Sequence, residues 1–290
     1  MANTQTTTAR QSSLRYASKV FMSNSLSVAG AIIVLLFLLV GIFATSFVPY
    51  EAAEVNYRRV LEAPSRDYLF GTDAFGRDVF SRVMTGAGIS LRVGLTVSVI
   101  ATVFGMFVGI LAGYFGGTAD TIMMRVVDLF MAFPPVVIAL VLAVLMGRGL
   151  TTVVVALSLG GWTGTARLAR GEVLSLKNRG FVRASRVIGA SDGHIIWHHL
   201  IPNILPPILI STSLSFGRVV LNTAGLSFIG VGVQPPLPEW GTMINEGRAF
   251  IVSGQWWLVA FPGLAIMFSV MGFNLLGDGI RDILDPRERR

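Results

Sequence analysis

The sequence predicts an all-α polytopic membrane protein. Three observations carry that reading: 53% of the 290 residues are hydrophobic, only 13% are charged, and the charges fall between long uncharged runs. A soluble domain carries about a quarter charged residues, and a disordered chain is poorer in apolar residues than this one. With no cysteine, the chain has neither a disulfide framework nor a cysteine metal site.

A helix crossing about 30 Å of hydrocarbon needs about 20 apolar residues. Six runs meet or approach that length: residues 20–50 with a dense core at 26–48, residues 93–119, 129–147 and 149–166, a run from beyond Pro202 to about residue 226 that Arg218 interrupts, and residues 249–277 with a core from Trp257 onward. Only Arg148 and a few neighbours separate the third run from the fourth, which predicts a helical hairpin. The first run follows Arg10, Arg15 and Lys19, as a signal peptide would. Its core is too long for one and lacks a small-residue cleavage pattern, so it reads as an anchor that stays. Six crossings put both ends on one side. With the amino end inside, the inner segments hold 14 basic residues and the outer segments 8, and acids offset the outer ones, so the net +7 lies on the cytoplasmic face.

The expected organisation is a Ser/Thr/Gln-rich cytoplasmic lead (1–25), a first transmembrane helix with its outer loop (26–85), a transmembrane unit (86–277) and a charged cytoplasmic tail (278–290). The longest outer segment, 49–90, holds Pro49, Pro64 and a Gly-Thr-Asp turn signal at Gly71–Asp73, and is expected to lie on the outer surface. In the second crossing Ala101, Gly105, Gly109 and Gly113 recur every fourth residue, which lines one helical face with small atoms and invites close backbone approach.

Residues 176–203 carry most of the functional information. Phe181, Ala184 and Ile188 share one helical face, and Arg179, Arg183 and Arg186 another. Gly189 then stops the helix, and Ser191 or Asp192 can cap a second short helix before Pro202, Pro206 and Pro207 open the fifth crossing. Such an element can lie against anionic headgroups, dock into a groove on a soluble partner, or offer His194 and His198 to a metal. The metal reading is the weakest, since no HExxH pattern completes it.

Arg183-Ala184-Ser185, three residues, Gly189, nine residues, then His199-Leu200-Ile201-Pro202 resembles the EAA loop of ABC-importer permeases, with Ala184, Gly189 and Pro202 in register. Further segments are similar to the dipeptide/oligopeptide/nickel permease family in its shorter, C-type member: Phe70-Gly71-Thr72-Asp73, then Gly76-Arg77-Asp78-Val79-Phe80-Ser81-Arg82, Gly225-Leu226-Ser227-Phe228-Ile229-Gly230 onward to Pro236, Pro238-Glu239-Trp240-Gly241, and Phe273-Asn274-Leu275-Leu276-Gly277-Asp278-Gly279 with Asp285-Pro286-Arg287. The resemblance covers nearly the whole chain from about residue 15.

The resemblance implies a permease subunit forming half of a path for dipeptides, oligopeptides or a related small solute, in a bacterial inner membrane. It implies an EAA-type coupling helix between the fourth and fifth crossings. The partners it implies are a second homologous permease, two cytoplasmic ATP-binding subunits and a periplasmic solute-binding protein. The chain itself would bind no cofactor, and ATP would be used by the partner subunits. The sequence agrees in lacking a GxxxxGK[ST] phosphate loop. Carried over residue by residue, the coupling set is Phe181, Arg183, Ala184, Ser185, Arg186, Ile188, Gly189, Ala190, Asp192 and Pro202. Phe181, Ala184 and Ile188 are expected to face the ATPase or brace the helix, and Arg183 and Arg186 to meet acidic groups on it.

Arg218 and Asn222 are candidates to line the path. A membrane-centre charge costs about 2.5–3.5 kcal/mol on insertion scales and so has a reason. Related permeases carry a small residue at the Arg218 position and an acidic one near Thr223, so this chain departs twice. Arg218 either meets a carboxylate solute or, the preferred reading, pairs with Asp128 or with the second permease. Glu239 and Trp240 are expected either where a delivering protein docks or in a solvated loop.

Two other classes fit less well. An ion-gradient-driven transporter or channel would need membrane-centre carboxylates for coupling, which are almost wanting. A membrane enzyme would need a nucleophile beside the histidines, and all three of these lie at 194–199.

Overall fold

The fold was described from a computed structural model, in which residues 21–284 are described. The lead to residue 20, with Arg10, Arg15 and Lys19, and the tail from 285 lie outside them.

The first helix, α1 (Ser25–Phe47), starts at Asn24, whose side chain accepts from the Leu26 and Ser27 amides. Only Ser27, Gly30, Val34 and Ala44 are buried along it, while Ile32, Leu35, Leu36, Leu39, Ile42 and Phe43 are exposed. A helix so apolar on its open side fits lipid rather than water. The second, α2 (Val79–Phe115), spans 37 residues, about 55 Å of rise. It begins well before the uncharged run because Asp78 caps it, accepting from the Ser81 amide and hydroxyl, and because Arg82 is neutralised by local carboxylates. Gly116, at φ +68°, ends it.

The third expected crossing, 129–147, is not one helix. It divides between α3 (Gly117–Ala132) and α4 (Pro135–Met146), bent by 85°. Pro134 and Pro135 explain the break: neither offers an amide hydrogen, and each disfavours helical backbone in the residue before it. Next comes α5 (Leu150–Leu176), whose C-terminal half carries Arg167, Arg170 and Glu172. A short helix, α6 (Gly180–Val187), leads to α7 (Asp192–Ile195), which continues through a π turn (Ile196–Leu200) into α8 (Ile201–Phe228). The chain closes with α9 (Trp240–Gly247) and α10 (Trp257–Leu284). Four helical spans, counting Asp192–Phe228 as one, are long and apolar enough to cross a membrane, and the bent α3–α4 pair makes five. The fourth expected crossing, α5, falls short on composition, diluted by Gly, Thr and charge.

The most extensive helix pairing is α2 on α5. A Cβ at Gly105 would collide with the Trp162 carbonyl oxygen, one at Gly109 with that of Ala166, and one at Gly113 would sit 2.9 Å from the Val173 Cβ. The stripe read from sequence is therefore where the two backbones touch. Glycines play the same part where α1 crosses α2 (Gly41 on Gly88) and α10 (Gly30 and Gly272). Inside a bilayer the hydrophobic effect does not press helices together, so such close van der Waals approach supplies the adhesion.

At one end, residues 49–78 fold over α2, α9 and α10 as a cap. The Asp73 carboxylate accepts from the amides of Phe75 and Arg77 and from the Arg77 guanidinium at 2.6 Å. Arg77 and Arg82 both reach Glu246 of α9, at 3.0 and 3.1 Å. The expected surface loop is thus partly internal. Glu239 and Trp240 depart from expectation in the same way, each being 1% exposed. Glu239 caps α9 through the Thr242 amide, and the Trp240 indole donates to the Val83 carbonyl. Neither is solvated or free to dock a partner, because α9 is tucked between α8 and α10.

Two outcomes follow from this packing. Gly109→Leu should lower the unfolding midpoint of the detergent-solubilised chain by an overpacking cost of about 1–3 kcal/mol. Gly164→Leu, where nothing lies within 4 Å, should leave it unchanged, and thermal unfolding checks both. Burial raises the Glu239 pKa, against hydrogen bonds from Gly241, Ser227 and Thr242 that lower it. The folded state therefore favours the protonated acid. Its contribution to stability is complete below the ordinary glutamate value of about 4.3 and is lost as pH rises through the raised one. A pH series of unfolding midpoints should show that slope, and Glu239→Gln should remove it.

Candidate functional site

The sequence-predicted coupling residues form one compact element at the end of the bundle opposite the cap. Its hinge is Gly189, at φ +85°, a backbone conformation in which a side chain is strained. Around it the Gly189 amide donates to the Arg186 carbonyl and the Ala190 amide to the Ser185 carbonyl, at 3.1 and 3.0 Å. That pair of bonds is the Schellman closure of a helix end. Ser191 then caps α7, its hydroxyl accepting from the His194 amide, so the chain turns sharply between two short helices.

Side chains fix the angle between them. The Ser185 hydroxyl lies 2.8 Å from His199 Nε2, joining α6 to the π turn. The Tyr114 hydroxyl, at the end of α2, donates to Asp192 at 2.6 Å, and Arg186 donates to the same tyrosine at 3.3 Å with its guanidinium over the ring. Lys177 donates to the Gly113 carbonyl at 2.8 Å, fastening the end of α5 to the end of α2. Beneath lies an apolar cluster of Ile110, Tyr114, Val173, Val182, Ile195 and Leu200, with Ala190 packed against it.

This geometry redraws the expected faces of α6. Its one buried residue is Val182, at 0% exposure, which plugs the helix onto the bundle. Phe181, Ala184 and Ile188 all lie outside. Phe181 also meets the His199 ring across the bend, with centroids 5.9 Å apart. Val187 and Ile188 are 86% and 83% exposed, and Trp197 of the π turn is 69% exposed. Arg183 and Arg186 are both exposed, and Arg186 also donates to the Tyr114 hydroxyl. Pro202 sits where the π turn passes into α8, and its missing amide hydrogen removes one donor from the ladder there. The His194 and His198 rings stack at 4.2 Å, and His198 Nδ1 lies 3.1 Å from the His194 carbonyl oxygen. Sequence reasoning missed Val182, Tyr114 and Lys177. A valine beside a phenylalanine gives no sign of which is buried, and Tyr114 is too remote in sequence.

Further along, Arg218 and Asn222 lie one turn apart on the exposed face of α8. The expected ion pair between Arg218 and Asp128 does not form. Asp128 is held by Arg167 at 2.6 Å, with Arg125 at 4.0 Å, while Arg170 holds Asp120. Two arginines spaced along α5 reach the two aspartates of α3 first. Arg218 and Asn222 make no hydrogen bond or ion pair among the described residues.

Comparison with known proteins gives the arrangement a family. Residues 105–290 match the binding-protein-dependent transport system inner membrane component, and residues 12–64 match the N-terminal transmembrane domain of oligopeptide transport permease C. A dipeptide transport system permease protein of Alkalihalophilus pseudofirmus is 41% identical over 94% of this chain and 90% of its own length. An oligopeptide transport system permease protein of Bacillus subtilis is 38% identical over 93% and 88%. A glutathione transport system permease protein of Pectobacterium atrosepticum is 40% identical over 92% and 89%. Among solved structures, an inward-facing methionine ABC transporter (MetNI) aligns with a TM-score of 0.59 at 19% identity, covering 70% of this chain and 97% of that one, which supports the fold alone. The chain therefore belongs to the family of binding-protein-dependent transport system inner membrane components, permease subunits of ABC importers in which ATP is hydrolysed by separate subunits.

Proposed function

We propose that this permease forms half of a path for dipeptides, oligopeptides or a related small solute, and that the bent element 179–202 is the EAA-type coupling helix seated on an ATP-binding subunit. The observation that carries the reading is the exposure of Phe181, Val187, Ile188 and Trp197 on an element held by Val182, Tyr114 and Ser185. A rigid, two-sided helix whose outer side is apolar fits a groove on a second protein. Within it Arg183, Ala184 and Ile188 contact the partner. Val182 and Ala190 seat the element, Arg186 and Asp192 fasten it to Tyr114, Ser185 fastens it to His199, and Gly189 and Pro202 set its bends. Relatives named for dipeptide, oligopeptide and glutathione transport support the solute class.

The topology that fits is six crossings, with the bent α3–α4 pair and α5 each counted once and both termini cytoplasmic. The partners are a second, homologous permease, two ATP-binding subunits and a periplasmic binding protein. This chain binds no cofactor of its own, and ATP is used by the partners. Arg218 and Asn222 face the path. Exposure of a guanidinium to lipid would cost about 2.5–3.5 kcal/mol, so this side of α8 meets water or protein, unlike the apolar open side of α1. The ion-gradient reading gains nothing from the family.

Ile188→Asp should lower solute uptake and solute-stimulated ATPase activity of the assembled importer by about tenfold or more, the size of one lost interface anchor. Gly189→Leu places a side chain at positive φ, costing about 1–2 kcal/mol, and should depress both activities together. Uptake into vesicles and phosphate release measure them, with subunit levels followed in parallel. Unchanged values in both variants would remove the coupling role.

A further inference from the structure

The exposed side of α8 carries more than an unpaired charge. Arg218, Leu221, Asn222 and Gly225 follow one another at helical spacing on a single face, and all four are exposed. Of these four, Leu221 alone borders an open groove of about 540 Å³, lined otherwise by α10 residues that include Met267, Met271 and Asn274. Neither Arg218, Asn222 nor Asn274 has a hydrogen-bond partner among the described residues. By contrast, the hydroxyls of Thr212, Ser213, Ser215 and Thr223 on the same helix all return to its own carbonyls. The hydrogen-bonding capacity of α8 is thus kept open at Arg218 and Asn222 and closed at these four residues.

Resting on the reading of this face as the path, we propose that the Arg218–Asn222 face of α8, beside the α8–α10 groove, is a transit site for solutes bearing a free carboxylate. The Arg218 guanidinium takes the carboxylate and Asn222 adds a hydrogen bond. Met267 and Met271, unbranched and polarizable, accommodate whatever side chain the solute brings. The chemistry runs in one direction. A guanidinium offers five donors and no acceptor, in a fork that matches a carboxylate, and the acid of this chain expected to neutralise it, Asp128, is engaged by Arg167. Methionine is the side chain that tolerates varied partners. A site that fixes the carboxylate common to all peptides and leaves the rest adaptable suits a path passing many sequences. Being solvated and singly held, it also releases.

The chain has no cysteine, so Asn222→Cys introduces a single reporter in this subunit. In the assembled importer, carrying cysteine-free partners, its labelling by an anionic methanethiosulfonate should outpace labelling by a cationic one about tenfold. That is the effect expected of a full positive charge within about 7 Å in a wet site. Arg218→Met should abolish the bias. A mixed dipeptide preparation with free carboxyl ends should slow labelling, its carboxyl-amidated counterpart should not, and Arg218→Met should erase the difference. Absence of labelling by either reagent would overturn the path reading and the transit site with it. Labelling without charge bias would leave the path and overturn the transit site, placing a carboxylate of the second permease on Arg218. Equal protection by acid and amide, or none by either, would likewise overturn the carboxylate role.

Discussion

The contact between α2 and α5 is the constraint from which the rest of the structure follows. Gly105, Gly109 and Gly113 let the α2 backbone lie directly on the carbonyls and small side chains of α5. In hydrocarbon there is no water to expel, so adhesion comes from atoms at van der Waals distance, and only residues without side chains allow two backbones so close. Each end of this pair then fixes something. At one end the start of α2 joins the Asp73–Arg77–Arg82–Glu246 network that holds the cap and α9. At the other its last turn presents Tyr114 to Asp192 and Arg186, and α5 leads on into the bent element 179–202. One long rod therefore links the two aqueous faces.

The bent element 179–202 is tied together as a unit. Its apolar underside plugs into the cluster around Val173 and Ile110, the Ser185–His199 contact closes it across the Gly189 bend, and α7 runs through the π turn into α8 without interruption. In the proposed coupling role, a push delivered to Ile188 or Phe181 would pass along α8, the helix that carries Arg218 and Asn222. Under the proposed reading, motor contact and solute-facing residues share one continuous piece of backbone.

Much of this was legible residue by residue. Gly189 was readable as a helix stop because positive φ is glycine's own territory, and the Ala101–Gly113 stripe because a repeat of four marks one helical face whatever surrounds it. The bounds of α1 were readable because an uncharged run flanked by polar residues has no other disposition in a membrane. What failed did so where a charge or an apolar residue has two fates. The uncharged run leaves Arg82 outside the second helix, although Asp73 and Glu246 hold it within. Asp128 was expected to meet Arg218 because both are charges near the membrane, but Arg167 lies on the adjoining helix and gets there first. Glu239 and Trp240 read as exposed because they follow a Gly- and Pro-rich outer segment, and sequence gives no sign that Thr242 and the Val83 carbonyl hold them inside.

By itself the sequence determined the membrane class, the places where helices stop and touch, and the family motif, because these depend on local backbone freedom, hydropathy and spacing. Only the tertiary structure decided which side chains are used up and which remain open. It assigned Val182 to the interior and Ile188 to the outside, gave Asp128 to Arg167, turned Arg186 onto Tyr114, and left Arg218 and Asn222 facing outward. Pairing of charges and burial of one neighbour over another are competitions between residues far apart in the chain, and distance in space, which settles them, is not written in the order of the residues.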